Sequence, residues 1–367
     1  MMKQLKVIAF YLPQYHETVE NNEWWGKGFT EWTNVRKAKP LYEGHLQPKV
    51  PLDNNYYCLL DEKTQVWQAE IAKKYGVYGF CYYHYWFNGK MLIEKPMEKM
   101  LQNPAVDIPF CVSWANEPWT RTWTGKEKEV LMPQVYGGEA DWKAHIEYLI
   151  PFFKDSRYIK KDNKPIMLLY RAGQITDCDD MIVYWNEYLQ KEGFDGIYII
   201  ETLSGNQPVP ALQKAEATVE MEPMLTVKSK MSFWARLKKH LIIRWRLWRF
   251  GILDVVNYDV IWKSILRRST NGDKVCYRGA FSDWDNSARR QEKGMMIKGA
   301  SPAKFEKYFG ELVKQCREAN QEFLFFNAWN EWGEGAYLEP DEHYGYGYLE
   351  AIKRVMKDKE DSCCEEN

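Results

Sequence analysis

Eight short runs of apolar, β-branched and aromatic residues recur along the chain, and stretches of helix-forming composition lie between most of them. The runs fall at Val7–Leu12, Val77–Tyr82, Ile108–Ser113, Pro165–Tyr170, Gly196–Ile200, Ala217–Met221, Lys274–Ala280 and Glu322–Asn327. The clearest helical stretches are Lys63–Tyr75, Trp142–Phe153, Met181–Glu192 and Pro302–Ala319, the last with Ser301 as an N-cap and Pro302 in the first turn. Strands that alternate with helices pair in parallel through crossovers. The predicted fold class is therefore α/β, a (β/α)8 TIM barrel in a single domain. A doubly wound sheet is the rival, but no GxGxxG or GxxxxGK[ST] loop follows any run. The barrel is expected over residues 1–356, with a basic helical insertion at about 226–250 between the sixth and seventh strands and a charged, disordered tail at 357–367.

In such a barrel the active site lies where the carboxyl ends of the strands meet. Tyr11 closes the first run, with Gln14, Tyr15 and His16 beyond it. The second leads to Tyr83, His84, Tyr85 and Trp86, and the third to Trp114, Asn116, Glu117 and Trp119. Tyr170 and Arg171 follow the fourth, Glu201 the fifth, and Glu220 and Glu222 the sixth. The seventh reaches Asp283, Trp284, Asp285 and Asn286, and the eighth Trp329, Asn330, Glu331, Trp332 and Glu334. Any one of these residues is readily explained as a cap or a turn. Aromatic, amide and carboxylate groups after all eight strands point to carbohydrate chemistry, because rings stack on sugar faces while polar edges bond hydroxyls. Trp, Tyr and Phe make up 16% of the chain, enough to line a cleft, although an aromatic core would give the same count.

Charge and cysteine usage narrow the function. Fifty Lys plus Arg stand against 51 Asp plus Glu, which argues against nucleic-acid binding. Eight Cys without a CxxC suggest neither a zinc site nor a disulfide scaffold, and no HExxH or similar spacing exists, so no metal and no cofactor is expected. No apolar stretch reaches a membrane span and Met1–Lys6 lacks the apolar run of a secretory signal, so a cytoplasmic location is expected.

Glycosidic cleavage needs one carboxyl group to protonate the leaving oxygen and another to act as base or nucleophile. Glu331 and Glu334 are the leading pair, in Asn330-Glu331-Trp332-Gly333-Glu334-Gly335, where two glycines permit unusual backbone angles. The plain alternative is a pair of acids opening the next helix.

Phe10-Tyr11-Leu12-Pro13-Gln14-Tyr15-His16, Gly28-Phe29-Thr30-Glu31-Trp32 and Asn327-Ala328-Trp329-Asn330-Glu331-Trp332-Gly333-Glu334-Gly335 resemble the WbsX-like family, which is similar to glycoside hydrolase family 99. Gly79-Phe80-Cys81-Tyr82-Tyr83-His84-Tyr85-Trp86, Trp114-Ala115-Asn116-Glu117 and Trp284-Asp285-Asn286 followed by Arg289 extend the resemblance to roughly residues 5–355. It implies a (β/α)8 barrel that makes or trims bacterial surface polysaccharide such as O-antigen or capsule. It also implies a retaining mechanism with Glu331 as base and Glu334 as acid. The base would deprotonate the sugar 2-hydroxyl, and a 1,2-anhydro sugar would form. The enzymes of family 99 are endo-acting mannosidases whose motif carries His where this chain has Gly333, so the resemblance does not extend to mannose specificity.

Chemistry and resemblance together make Tyr11, Gln14, Trp86, Trp284, Asp285, Asn286, Asn330 and Trp332 candidate substrate-binding residues. His84 and Asn116 are candidates to bond sugar hydroxyls, Glu117 to hold a 2-hydroxyl or a cation, and Trp114, Trp329 and Tyr170 to stack on sugar rings. Arg171 is expected to pair with Glu201 or Glu220, or to recognise an acidic sugar. For each, bonding to a loop or packing in the core is the plain alternative.

Residues 228–249 hold Lys228, Lys230, Arg236, Lys238, Lys239, Arg244, Arg246 and Arg249 without an acid, and Trp234, Leu237, Leu241, Trp245 and Trp248 recur at spacings of three and four. Two readings fit this pattern: a helix packed on the barrel with solvated cations, or peripheral contact with an anionic inner-membrane surface that carries lipid-linked substrate. The partner expected is an oligosaccharide or polysaccharide. The alternatives to a glycosidase or transglycosidase are a nucleotide-sugar glycosyltransferase of lipopolysaccharide biosynthesis and a carbohydrate-binding barrel without catalysis.

Overall fold

The computed structural model describes residues 3–121, 129–231, 254–269 and 273–357. Its centre is a ring of eight strands: β1 Lys6–Tyr11, β2 Gly79–Phe87, β3 Phe110–Trp114, β4 Lys164–Leu169, β5 Tyr198–Leu203, β6 Ala217–Glu220, β7 Val275–Phe281 and β8 Phe323–Asn327. Each pairs in parallel with the next. β8 pairs with β1, Val7 opposite Leu324 and Ala9 opposite Phe326, so the sheet closes and leaves no barrel edge. The expected (β/α)8 barrel is the observed fold, and all eight expected runs are its strands.

The described helices are α1 Val19–Trp25, α2 Glu31–Lys37, α3 Glu62–Lys74, α4 Lys95–Gln102, α5 Glu139–Lys154, α6 Cys178–Lys191, α7 Tyr258–Leu266, α8 Ser287–Arg290, α9 Pro302–Glu318 and α10 Gly347–Lys357. α9 begins as the sequence indicates: the Ser301 hydroxyl accepts from Lys304 N at 3.4 Å, and Pro302 needs no amide partner in the first turn. Its buried face, Phe305, Phe309, Leu312, Val313 and Cys316, follows the helical period and meets Phe326 of β8.

β2 differs from expectation. It runs five residues past Tyr82 and turns back through Asn88-Gly89 into Lys90–Leu92. Both turn residues have positive φ, 48° and 88°, as a two-residue type I′ hairpin requires. His84 and Trp86 therefore belong to the strand and not to a loop beyond it.

The aromatic surplus goes largely into the core. Trp114, Trp185, Trp262, Trp329 and Trp332 are among the largest fully buried side chains, and each such burial contributes about 1.5–3 kcal/mol. Residues 232–253, most of the expected basic insertion, and residues 358–367 of the expected tail lie outside the described residues. At the start of the expected insertion, Thr226–Lys230 forms a π-helical turn; after it, Asp254–Asn257 pairs in parallel with Met295–Lys298.

Candidate active site

Beyond β8 the chain folds into a tight hairpin, with Asn330 opposite Tyr337 and Glu331 opposite Ala336. The sequence dictates this shape in several places. The Asn330 side chain accepts from Leu12 N at 2.8 Å and donates to Leu12 O at 3.0 Å, so it stands in for a backbone partner at the end of β1. Tyr15 donates its hydroxyl to Asn330 O and accepts from Trp332 N. Gly335 turns the chain at φ 62°, where a Cβ would stand 2.9 Å from Asp285 N.

Under the hairpin lies Glu339, a buried carboxylate that receives four donors: Gln68 Nε2 at 2.6 Å, Trp329 Nε1 at 3.1 Å, Tyr57 OH at 2.8 Å and Trp332 Nε1 at 2.7 Å. Burial pushes its carboxyl up to about 7, against the pull of those donors.

The hairpin delivers Glu331 and Glu334 to the C-terminal mouth of the barrel. Arg289 of α8 reaches both: Nη2 donates to Glu331 Oε2 at 3.0 Å, and Nη1 to Glu334 Oε1 at 2.7 Å. Its Nε donates to Glu31 Oε1 at 2.7 Å. One guanidinium among three carboxylates leaves two negative charges uncompensated when all are ionised. The cheapest relief is for the pair to hold a proton. Burial, outweighing the guanidinium and aided by Glu334, pushes Glu331 up to about 8, and burial likewise raises Glu334.

Both glutamates and Arg289 line a cavity of about 490 Å³ with Gln14, Tyr83, Tyr85, Glu117, Trp119 and Tyr170. Gln14, Glu117, Tyr170, Glu331 and Glu334 are thus the predicted site residues that meet at one place. Glu117 is 43% exposed and accepts from Arg171 Nε at 2.6 Å.

The other predicted residues are used elsewhere. On β2, Tyr83 and Tyr85 face the cavity, so His84 and Trp86, of opposite parity, face the helices. His84 Nε2 lies 2.8 Å from His145 Nε2 of α5, and Trp86 donates to Asp141. Trp114 donates to Trp86 O, and Tyr11 donates to Gln68 of α3. Asn116 clamps the start of the loop after β4 through Arg171 N and O. Arg171 pairs with Glu117 and Ser204, not with Glu201 or Glu220 as expected. Glu201 instead binds Ala211 N, Leu212 N and Gln207, while Glu220 pairs with Arg268 and Arg278. Asp285 is held by His45 and Gln47, Asn286 accepts from Met295 N, and Trp284 is buried. Trp329 and Trp332 are buried on Glu339, and Asn330 on Leu12, so none of these three lines the cavity.

The sequence places Tyr83, Tyr85 and Trp119 at the rim without giving them a role, and it marks Glu31 and Arg289 only as members of the motifs that carry the family resemblance. The strand parity of β2 was the signal for the two tyrosines.

A closed parallel barrel with paired acids and aromatic walls at its C-terminal mouth has the architecture of the glycoside hydrolase-like barrels. A family profile described as Glycosyltransferase WbsX matches residues 7–352, and the chain belongs to that family. WxcX of Xanthomonas campestris pv. campestris is 33% identical over 354 residues, which cover 95% of this chain and 49% of that protein. The chain thus spans about half the length of the curated relatives it matches. Among solved structures, one titled "Glycoside hydrolase-like protein" superposes with a TM-score of 0.59 at 14% identity, covering 97% of this chain and 94% of the other. A GH99 endo-alpha-mannosidase from Bacteroides thetaiotaomicron superposes with a TM-score of 0.53 at 12% identity, covering 96% of each chain. These likenesses are of fold.

Proposed function

We propose that the chain cleaves or transfers a glycosidic bond of a surface oligosaccharide or polysaccharide, with Glu331 as base and Glu334 as acid. The observation that carries this reading is the pair itself: two buried carboxylates on one hairpin, bridged by one guanidinium, in the wall of the cavity at the strand ends. A pair that holds one proton near neutrality has an acid and a base available together. In the reacting form the single proton of the pair rests on Glu334, and in the first step Glu331, ionised, takes the proton of the sugar 2-hydroxyl, whose oxygen attacks the anomeric carbon. The bond to the leaving oxygen breaks, and Glu334 supplies the proton that oxygen needs. In the second step water, or an acceptor hydroxyl, opens the 1,2-anhydro ring at the anomeric carbon, giving its proton to Glu334 while Glu331 returns its own to O2. The resemblance to family 99 supports this route over direct attack by a carboxylate.

Replacing either glutamate by Gln should lower the rate by about 10²–10⁴-fold on the host's surface polysaccharide or its lipid-linked precursor, read by mass spectrometry of new reducing ends. Near-wild-type rates in both variants would remove the pair from the reaction.

A second reading, transfer from a nucleotide sugar, has the family's description in its favour. Against it stands the charge of the cavity: among the described lining residues Arg289 is the cation, and three carboxylates already bind it. Consumption of a nucleotide sugar with lengthening of the glycan and no hydrolysis would decide for this reading.

No helix among the described residues is long and apolar enough to cross a membrane. Peripheral contact through the basic stretch 228–249 is our proposal for how a lipid-linked substrate is met. Failure of the protein to float with anionic liposomes would remove it.

A further inference from the structure

The carboxylate pair has a third acidic neighbour. Glu31, the first residue of α2, is wholly buried, and one of its oxygens accepts from Arg289 Nε while the other, Oε2, has no hydrogen-bond partner. A guanidinium can close a two-point fork on a carboxylate through its Nε edge or through its two terminal nitrogens. Here Glu31 takes Nε, Glu331 takes Nη2 and Glu334 takes Nη1. With Nε committed, neither member of the pair can close a fork on that edge, and the terminal nitrogens are divided between them. Gly333 makes the arrangement possible. A Cβ there would stand 1.9 Å from Glu31 Oε1 and 2.7 Å from Arg289 Nε, so a side chain at 333 and the Glu31–Arg289 contact exclude each other.

We propose that Glu31 is a positioning residue for the reaction: it anchors Arg289 through Nε so that the guanidinium is shared between Glu331 and Glu334, and the pair keeps one proton. The inference rests on the role proposed above for the pair and deepens it. Without the Glu31 charge, the guanidinium would compensate the pair more completely, and both members would give up their proton more readily. The other groups facing the pair are the hydroxyls of Tyr15, Tyr83, Tyr85 and Tyr170, the cations Arg290 and Lys228, and the carboxylate of Glu117. Changes at positions 31 and 333 leave all of these in place.

Two variants test this from opposite sides. Glu31→Gln keeps the volume and an acceptor for Nε but removes the charge. Gly333→Ala keeps the charge but sets a methyl group against both Glu31 Oε1 and Arg289 Nε, so it breaks the contact between them. The carboxyl ¹³C shifts of Glu331 and Glu334, assigned with their Gln variants, are followed against pH in ¹³C-glutamate-labelled full-length protein, with no substrate needed. In Glu31→Gln the upper titration of the pair should move down by about one pH unit or more. Gly333→Ala should move it in the same direction, and the high-pH limb of the rate profile should follow. A Glu31→Gln titration that stays in place or moves up overturns the proposal, and this variant decides alone if Gly333→Ala does not fold. Loss of rate without movement of the titration means a merely structural role and overturns it too. If the titration moves but no glycan is cleaved, the positioning role stands and the proposed function fails.

Discussion

Glu331 carries a consequence for stability that is separate from its chemistry. Its carboxyl is held at about 8 in the folded protein, against about 4.3 in an unfolded chain. The folded state therefore binds the extra proton more tightly. The stability this provides is fully present below about pH 4.3 and is lost as pH rises through about 8. Glu331→Gln removes that dependence, because an amide needs no proton. The variant should melt several degrees above the wild type at pH 8 and close to it at pH 5, read by thermal denaturation across pH. A constant difference across the range would show that the Glu331–Glu334 pair does not hold the extra proton. The same residue shows how far a sequence can be read. The paired acids are legible because chemistry names them and two glycines flag the turn. Their guanidinium partner is not, because Arg289 lies 42 residues before Glu331 and only the folded rim brings them together.

Between elements, the contact of β2 with α5 is sensitive to pH. His84 and His145 face each other Nε2 to Nε2 at 2.8 Å, so one donates, the other accepts, and both are neutral. Burial lowers His84 to about 3 and His145 well below its ordinary value. A proton on the accepting Nε2 would set two donors face to face. Their contribution is present above the unfolded value of about 6.5 and is lost as pH falls toward about 3. His84→Gln/His145→Gln should be less stable at pH 7, since stacking on Trp86 and Tyr148 is lost, yet should decline less steeply between pH 6.5 and 4. Parallel melting curves would remove the pair from the acid response. The same contact explains a sequence error. The eight strands are legible from their apolar runs, but the end of β2 is not, because the Asn-Gly turn signal begins six residues past the end of the apolar run. A strand ending at Tyr82 leaves His84 and Trp86 in a loop, whereas alternation along the true strand gives the cavity to Tyr83 and Tyr85. α1 and α2 were also unread. At seven residues each they are too short to show a period, and only the capping Thr18 and Thr30 mark them.

Across the whole molecule, the ring closes between β8 and β1, and the site lies beside that seam. Glu339 binds the two sides together: Gln68 and Tyr57 come from the first βα unit, Trp329 and Trp332 from the last. Glu339→Ala would leave four buried donors without their acceptor. It should cost about 3–5 kcal/mol in denaturant unfolding and disorder the hairpin that carries the acids. A loss under about 1 kcal/mol would mean that the donors find other partners.

The bond from Gln68 to Glu339 spans 271 residues, so the order in which the polypeptide leaves the ribosome matters. The hairpin bearing Glu331 and Glu334 has no seat until β1, already made, has waited for β8 to arrive and the circle has shut. A growing polypeptide can present most of its cavity-lining tyrosines early, yet its carboxylate pair has no fixed place until its last strand docks against its first. Timing of this kind amounts to a built-in safety catch: a partly made molecule has the aromatic wall of the cavity but not the two acids that complete it.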